Sequence, residues 1–76
     1  MKYKVTEKQR EDIHNRFTYH TPKDGQPERY TALRQQALGL AMVIASSAPP
    51  SREQSLALTK LEESIMFANA AIARNE

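Results

Sequence analysis

The sequence predicts an all-α protein: a short N-terminal helix followed by a long antiparallel two-helix hairpin, assembled as a homo-oligomer. Three observations lead there. Apolar residues recur at three- and four-residue steps along two long stretches. Helix-start signals precede three segments, and Pro49-Pro50 separates the two long ones. The last stretch is apolar around more of its circumference than a hairpin partner can cover.

The elements follow in order, with helices expected over 6–17, 27–47 and 51–75 of a single domain spanning 1–76. Thr6-x-x-Gln9 is a capping box that opens the first helix. Lys8/Asp12 and Asp12/Arg16 fall at i,i+4, a spacing worth a few tenths of a kcal/mol per pair. Ile13 and Phe17 are its only apolar stripe, so it is expected to dock by that short edge. Residues 18–26 read as a loop, because Pro22 disfavours helix at Thr21 and Asp24-Gly25 is a turn signal. Pro27 suits the first position of the second helix, where its missing N–H costs nothing. Tyr30, Leu33, Ala37, Leu40, Ala41 and Ile44 make one apolar face of that helix, and Leu38, Met42 and Ala45 a second. Gly39 sits mid-helix at a propensity cost of roughly 1 kcal/mol relative to Ala; it either permits close helix approach or is tolerated. After the proline pair, Ser51-x-x-Gln54 caps a third helix roughly 35 Å long. Leu58, Leu61, Ile65, Ala68 and Ile72 form its 3-4-3-4 seam, with Leu56, Met66, Phe67, Ala70 and Ala73 off it. From Ser64 to Ala73 there is no charge, so this helix is expected at the centre of the oligomer.

Composition narrows the function classes. A chain of 76 residues has a small solitary core, and with no Cys it has neither disulfides nor thiolate metal sites. The remaining staples are helix packing and oligomerisation. Net charge is +2, and the basic residues are spread from Lys2 to Arg74 without a run, which argues against a nucleic-acid-coating protein. Met1-Lys2-Tyr3-Lys4 is basic, but no apolar segment of a signal peptide follows it. The longest uncharged stretch, residues 35–51, is too short and polar to span a bilayer, so a cytoplasmic location is expected and no membrane partner.

The chain carries no recognisable phosphate loop, dinucleotide fingerprint, zinc-protease helix or nucleophile elbow, and its two glycines exclude a glycine-rich phosphate cradle. His14 and His20 are its only histidines, and neither belongs to a triad or ligand set, so no catalytic residue, metal or cofactor is expected. Two readings compete for the aromatic and basic residues near the loop. In one, Tyr19 stacks on a nucleobase while Arg34 forks onto a phosphate. In the other, Tyr19 and Tyr30 anchor the loop on the hairpin, which spacing alone favours. Arg74 suits the C-terminal end of a helix dipole, and in a symmetric oligomer two copies could each clamp a phosphodiester. Asn69 is the strongly polar side chain of the uncharged stretch, and if buried it must bond a partner subunit or a ligand edge.

The pattern Phe17-x-Tyr19-His20-x-Pro22, then Tyr30 and Arg34, then Pro50-Ser51-Arg52-Glu53-Gln54 and Ala68-Asn69-Ala70-Ala71-Ile72-Ala73-Arg74, resembles the phage anti-CBASS cyclic-nucleotide sponge family. Its helical hairpin is shared with the phage anti-Thoeris sponge. The likeness runs from about Phe17 to Glu76 and leaves the first helix outside. It implies a homohexamer that acts in the cytoplasm of an infected bacterium. It also implies sequestration, without cleavage, of cyclic dinucleotides such as 3',3'-cyclic GMP-AMP, with cyclic trinucleotides or cyclic ADP-ribose signals as further ligands of relatives. On this likeness Tyr19 is the base-stacking residue, Arg34 the basic residue of the second helix and Arg74 the C-terminal phosphate ligand. His20, Pro22 and Asn69 line the pocket. A nucleotide-degrading enzyme, with His20 or Glu62 as its first candidates, and a helical nucleic-acid or protein interaction module are the competing functions.

Overall fold

In a computed structural model, which describes residues 2–76, three helices and no strand are found among the described residues. They are α1 (Glu7–Arg16), α2 (Gln26–Ser47) and α3 (Arg52–Asn75).

The caps explain where each helix begins. The Thr6 hydroxyl accepts from the Gln9 N–H at 3.1 Å, and the Ser51 hydroxyl accepts from the Gln54 N–H at 3.1 Å. Gln54 does not complete a reciprocal box. Its amide instead donates to the carbonyls of Ala48 (2.8 Å) and Ala45 (3.3 Å), groups at the end of α2 that lack an intrahelical partner. One residue thus serves both helices, its backbone N–H at the start of α3 and its side chain at the end of α2. Helix α2 begins at Gln26, one residue before the proline expected to open it. Gly25 takes the left-handed conformation, φ 81°, that a side chain would resist, and this turns the chain one step early. Pro27 still falls in the first turn, where no N–H is needed.

α2 and α3 pack antiparallel along the expected seam. Leu33, Ala37, Ala41 and Ile44 of α2, and Leu58, Leu61, Ile65, Ala68 and Ile72 of α3, are half-buried. Leu40, expected on the packed face, is 50% exposed, because α3 covers only the narrower Ala37–Ala41–Ile44 stripe. Gly39 is not at a close approach within the protomer, since an added Cβ would meet nothing within 4 Å.

The shape explains the absence of a core. The molecule measures 48 × 38 × 13 Å, so it is one helix thick. Its radius of gyration is 17.0 Å, against about 11 Å for a compact chain of this length. A single layer covers each helix on one side only. Accordingly no apolar side chain is buried among the described residues, and the one buried residue is polar, Gln26 at 2% exposure. Leu38, Met42, Met66 and Phe67 all remain well exposed.

Helix α1 does not dock by the apolar edge expected of it. Ile13 and Phe17 are exposed, and the helix is held by polar contacts instead. The Asn15 amide donates to the Arg74 carbonyl (3.3 Å), and the Arg74 guanidinium donates to the Arg16 carbonyl (3.3 Å). Ile13 and Phe17 lie too near one end of a ten-residue helix to make a stripe. The carbonyls ending α1 and α3 are unsatisfied groups that need partners. On the solvent side of α1, Asp12 pairs with Arg16 at 3.6 Å rather than with Lys8.

Candidate functional site

Where the loop after α1 crosses the hairpin, it meets the first turns of α2 and the last turns of α3. An open polar groove of about 340 Å³ lies between them. Arg34 and Tyr30 reach it from α2, Asn69 and Arg74 from α3, and Arg16, Thr18 and His20 from the α1 end and loop. Small residues Ala70 and Ala73 form its floor, which is why the polar side chains above them can converge.

Three guanidiniums line this groove and no carboxylate does. Among the described residues Arg34 and Arg74 make no ion pair, and Arg16 makes only its exposed one with Asp12. Arg34 leans on Thr31, whose hydroxyl accepts from Nη2 at 3.4 Å. Arg74 is half-buried and is steadied by the Arg16 carbonyl. The concentration of fixed positive charge favours an anion, and planar guanidinium forks match phosphate oxygens.

His20 is half-buried, with Nε2 2.8 Å from the Asn15 carbonyl oxygen. A carbonyl only accepts, so Nε2 carries the proton and Nδ1 is the ring's acceptor in the neutral form. This bond ties the loop to the end of α1. The Thr18 hydroxyl also donates back to the His14 carbonyl.

Asn69 marks the junction of this groove with a larger one. Its side-chain Oδ1 is shut off from solvent and has no hydrogen-bond partner. The second groove, about 660 Å³ and largely apolar, runs along the hairpin beside Leu38, Leu58, Ile65 and Met66, and shares both Arg34 and Asn69 with the polar one. An orphaned acceptor in such a place needs a donor from another molecule.

Four of the six residues singled out from the sequence therefore meet in one groove: His20, Arg34, Asn69 and Arg74. Tyr19 and Pro22 do not line it. Tyr19 is 80% exposed, so its ring anchors nothing within the protomer; Tyr30 alone takes the anchoring role, half-buried beside Gln26. Arg16 and Thr18 escaped the sequence analysis, where Arg16 had an adequate explanation as a helix-surface ion pair.

At the far edge, Glu76 closes onto α2. Its carboxylate takes a two-pronged contact from Arg29, one prong at 2.6 Å, and a bond from the Gln26 amide at 3.1 Å. Lys23 Nζ donates to the Glu76 carbonyl. Hydrogen bonds from Arg29 and then Gln26 hold the Glu76 carboxyl down to about 2, and Glu76 in turn raises the Arg29 guanidinium. No motif announces this cluster. Its only sequence signal is that a hairpin turning at 49–51 brings positions 26 and 76 level.

Among the described residues no cluster of His, Cys, Asp and Glu is arranged to hold a metal ion, and no helix is long and apolar enough to cross a membrane. The family model described as Acb2/Tad1, hairpin domain, matches residues 9–73. That family consists of phage sponge domains for cyclic nucleotide signals, which sequester their ligands rather than act as enzymes. The match begins inside α1, which the resemblance had left out, and ends one residue before Arg74. No curated protein and no solved structure matches the chain.

Proposed function

This chain belongs to the Acb2/Tad1 hairpin domain family, and from that premise we propose that it sequesters cyclic dinucleotides such as 3',3'-cyclic GMP-AMP without cleaving them. By lowering the free second messenger in the infected host, it keeps bacterial CBASS effectors inactive. The observation that carries this reading is the polar groove: three arginines without a carboxylate, beside a buried, unpartnered acceptor on Asn69. Phosphates suit the guanidiniums, and a base amino or imino N–H suits the Asn69 oxygen.

The assembly belongs to the same proposal. A single helical layer with no buried apolar residue among those described is completed by further copies that cover Leu38, Met66 and Phe67. A homohexamer is the form that the resemblance implies. Such packing also gives Tyr19 a role, since a residue left 80% exposed in its own protomer is free to stack on a base held by a neighbour. A cyclic dinucleotide presents two bases and two phosphates, which a dyad supplying each residue twice would match. Burial between copies excludes water and slows release.

The test is a release assay. Excess protein is mixed with 3',3'-cyclic GMP-AMP, free ligand is removed by filtration, and the retained material is heated and chromatographed. Intact nucleotide, absent from the filtrate and recovered after heating, is expected, together with loss of retention in Tyr19→Ala and Arg34→Ala. Breakdown products would replace this reading with an enzyme. Nucleotide that stays in the filtrate would reject the ligand, and the same assay with a cyclic trinucleotide and with cyclic ADP-ribose then distinguishes the other signals.

A further inference from the structure

Arg74 stands one residue from the end of α3, where a helix normally frays. Its carbonyl is among the last four of the helix, which have no intrahelical partner. Nevertheless it is half-buried and points into the polar groove. Something must hold this last turn in place.

On one side, the Asn15 amide takes up the Arg74 carbonyl. On the other side, Glu76 is gripped by Arg29 and Gln26 from the opening of α2 and by Lys23 from the loop before it. Gln26 is the only buried residue among those described, so the structure seals a polar contact here while leaving its apolar side chains open. Within that contact the Gln26 oxygen accepts from the Lys23 N–H at 2.9 Å, and its amide is aimed at Glu76. Local helix preferences do not account for the charges. A carboxylate at the C-terminal end of α3 opposes that helix dipole, and an arginine near the start of α2 opposes the other. Each is explained by its partner across the hairpin.

We propose that Glu76 is a positioning residue: its latch onto Gln26 and Arg29 fixes the last turn of α3 and so holds Arg74 in the anion-binding groove. This inference rests on the proposed function for the identity of the ligand. Glu76 touches no ligand itself. It acts by raising the fraction of molecules in which Arg74 is in place, and apparent affinity falls in proportion when that fraction falls.

The experiment titrates 3',3'-cyclic GMP-AMP calorimetrically into wild type, Glu76→Gln, Arg74→Ala and the double variant, and follows amide hydrogen exchange of residues 72–75 without ligand. Glu76→Gln should weaken binding about two- to fivefold, the range open to a largely exposed pair acting through a conformational fraction. In the Arg74→Ala background the same change should cost nothing further, because the latch acts through Arg74. Exchange in the last turn of α3 should rise in Glu76→Gln. The charge swap Arg29→Glu with Glu76→Arg, which both helix dipoles favour, should restore affinity to within about twofold of wild type. Unchanged affinity in Glu76→Gln, or an equal loss with and without Arg74, overturns the proposal. A wild type that does not bind but shows the exchange change in Glu76→Gln rejects the ligand while keeping the latch. Unchanged exchange rejects the latch whatever binds.

Discussion

Replacing Asn69 by leucine separates stability from binding. In the protomer, Oδ1 of Asn69 is sealed from water without a donor, a state that costs about 1–3 kcal/mol. The surrounding groove includes Ile65, Met66 and Leu61, so a leucine of similar length meets apolar neighbours. Leucine also has the better helix propensity. The residue is only half-buried, so the lower part of that range is expected, a gain of about 1–2 kcal/mol. For a domain of this size each kcal/mol raises Tm by roughly 4–8 °C. Melting is followed by circular dichroism at one fixed protein concentration, because assembly of the kind proposed makes Tm depend on concentration. In parallel, binding of 3',3'-cyclic GMP-AMP is titrated, with an expected loss of about tenfold, the equivalent of roughly 1.4 kcal/mol for one lost hydrogen bond. The variant should therefore be more stable and a poorer binder. A variant that melts lower and binds normally would refute the reasoning, since the Asn69 oxygen would then be bonded to another copy of the chain.

Other outcomes follow from the same geometry. Because Arg29 and Gln26 depress the Glu76 carboxyl to about 2 from an ordinary 4.5, the folded state binds that proton less readily than the unfolded one. Its stabilising contribution is complete above about pH 4.5 and is lost as pH falls toward 2, and Glu76→Gln should flatten that part of a urea-stability profile. Gly39→Ala should raise stability by up to roughly 1 kcal/mol, since the added methyl enters open space; a loss in urea denaturation would point to another helix packed there in the proposed assembly. Leu38→Glu with Met66→Glu, which charges the wide apolar groove, should reduce the mass measured by sedimentation toward that of the 8.6 kDa protomer. An unchanged mass would remove this groove from the proposed interface between copies.

The local signals were sufficient for the helices. The threonine and serine caps, the proline pair and the alternating three- and four-residue spacing act over one or two turns, and a linear sequence displays interactions of that range directly. The same spacing named the residues of the seam, from Leu58 to Ile72, and the excess of apolar side chains beyond it. What a side chain does when two equal explanations exist was decided elsewhere. Gln54 had the position of a capping-box partner but served the carbonyls of the preceding helix, because the hairpin turn put those carbonyls within reach. Ile13 and Phe17 had the spacing of a docking edge and were left in solvent, because unsatisfied carbonyls at the ends of α1 and α3 set the contact instead.

The sequence by itself determined the helical class, the hairpin and the family pattern, all of which depend on residue type at short separation. Only the tertiary structure decided that His20, Arg34, Asn69 and Arg74 share a groove while Tyr19 and Pro22 stand outside it. It alone brought Arg16 into that groove and joined Glu76 to Gln26 and Arg29. Those contacts link residues some 50 positions apart, and their existence depends on the register of two helices rather than on any local preference. A one-layer hairpin aligns its two ends by the position of its turn, and that alignment put the positive charges together.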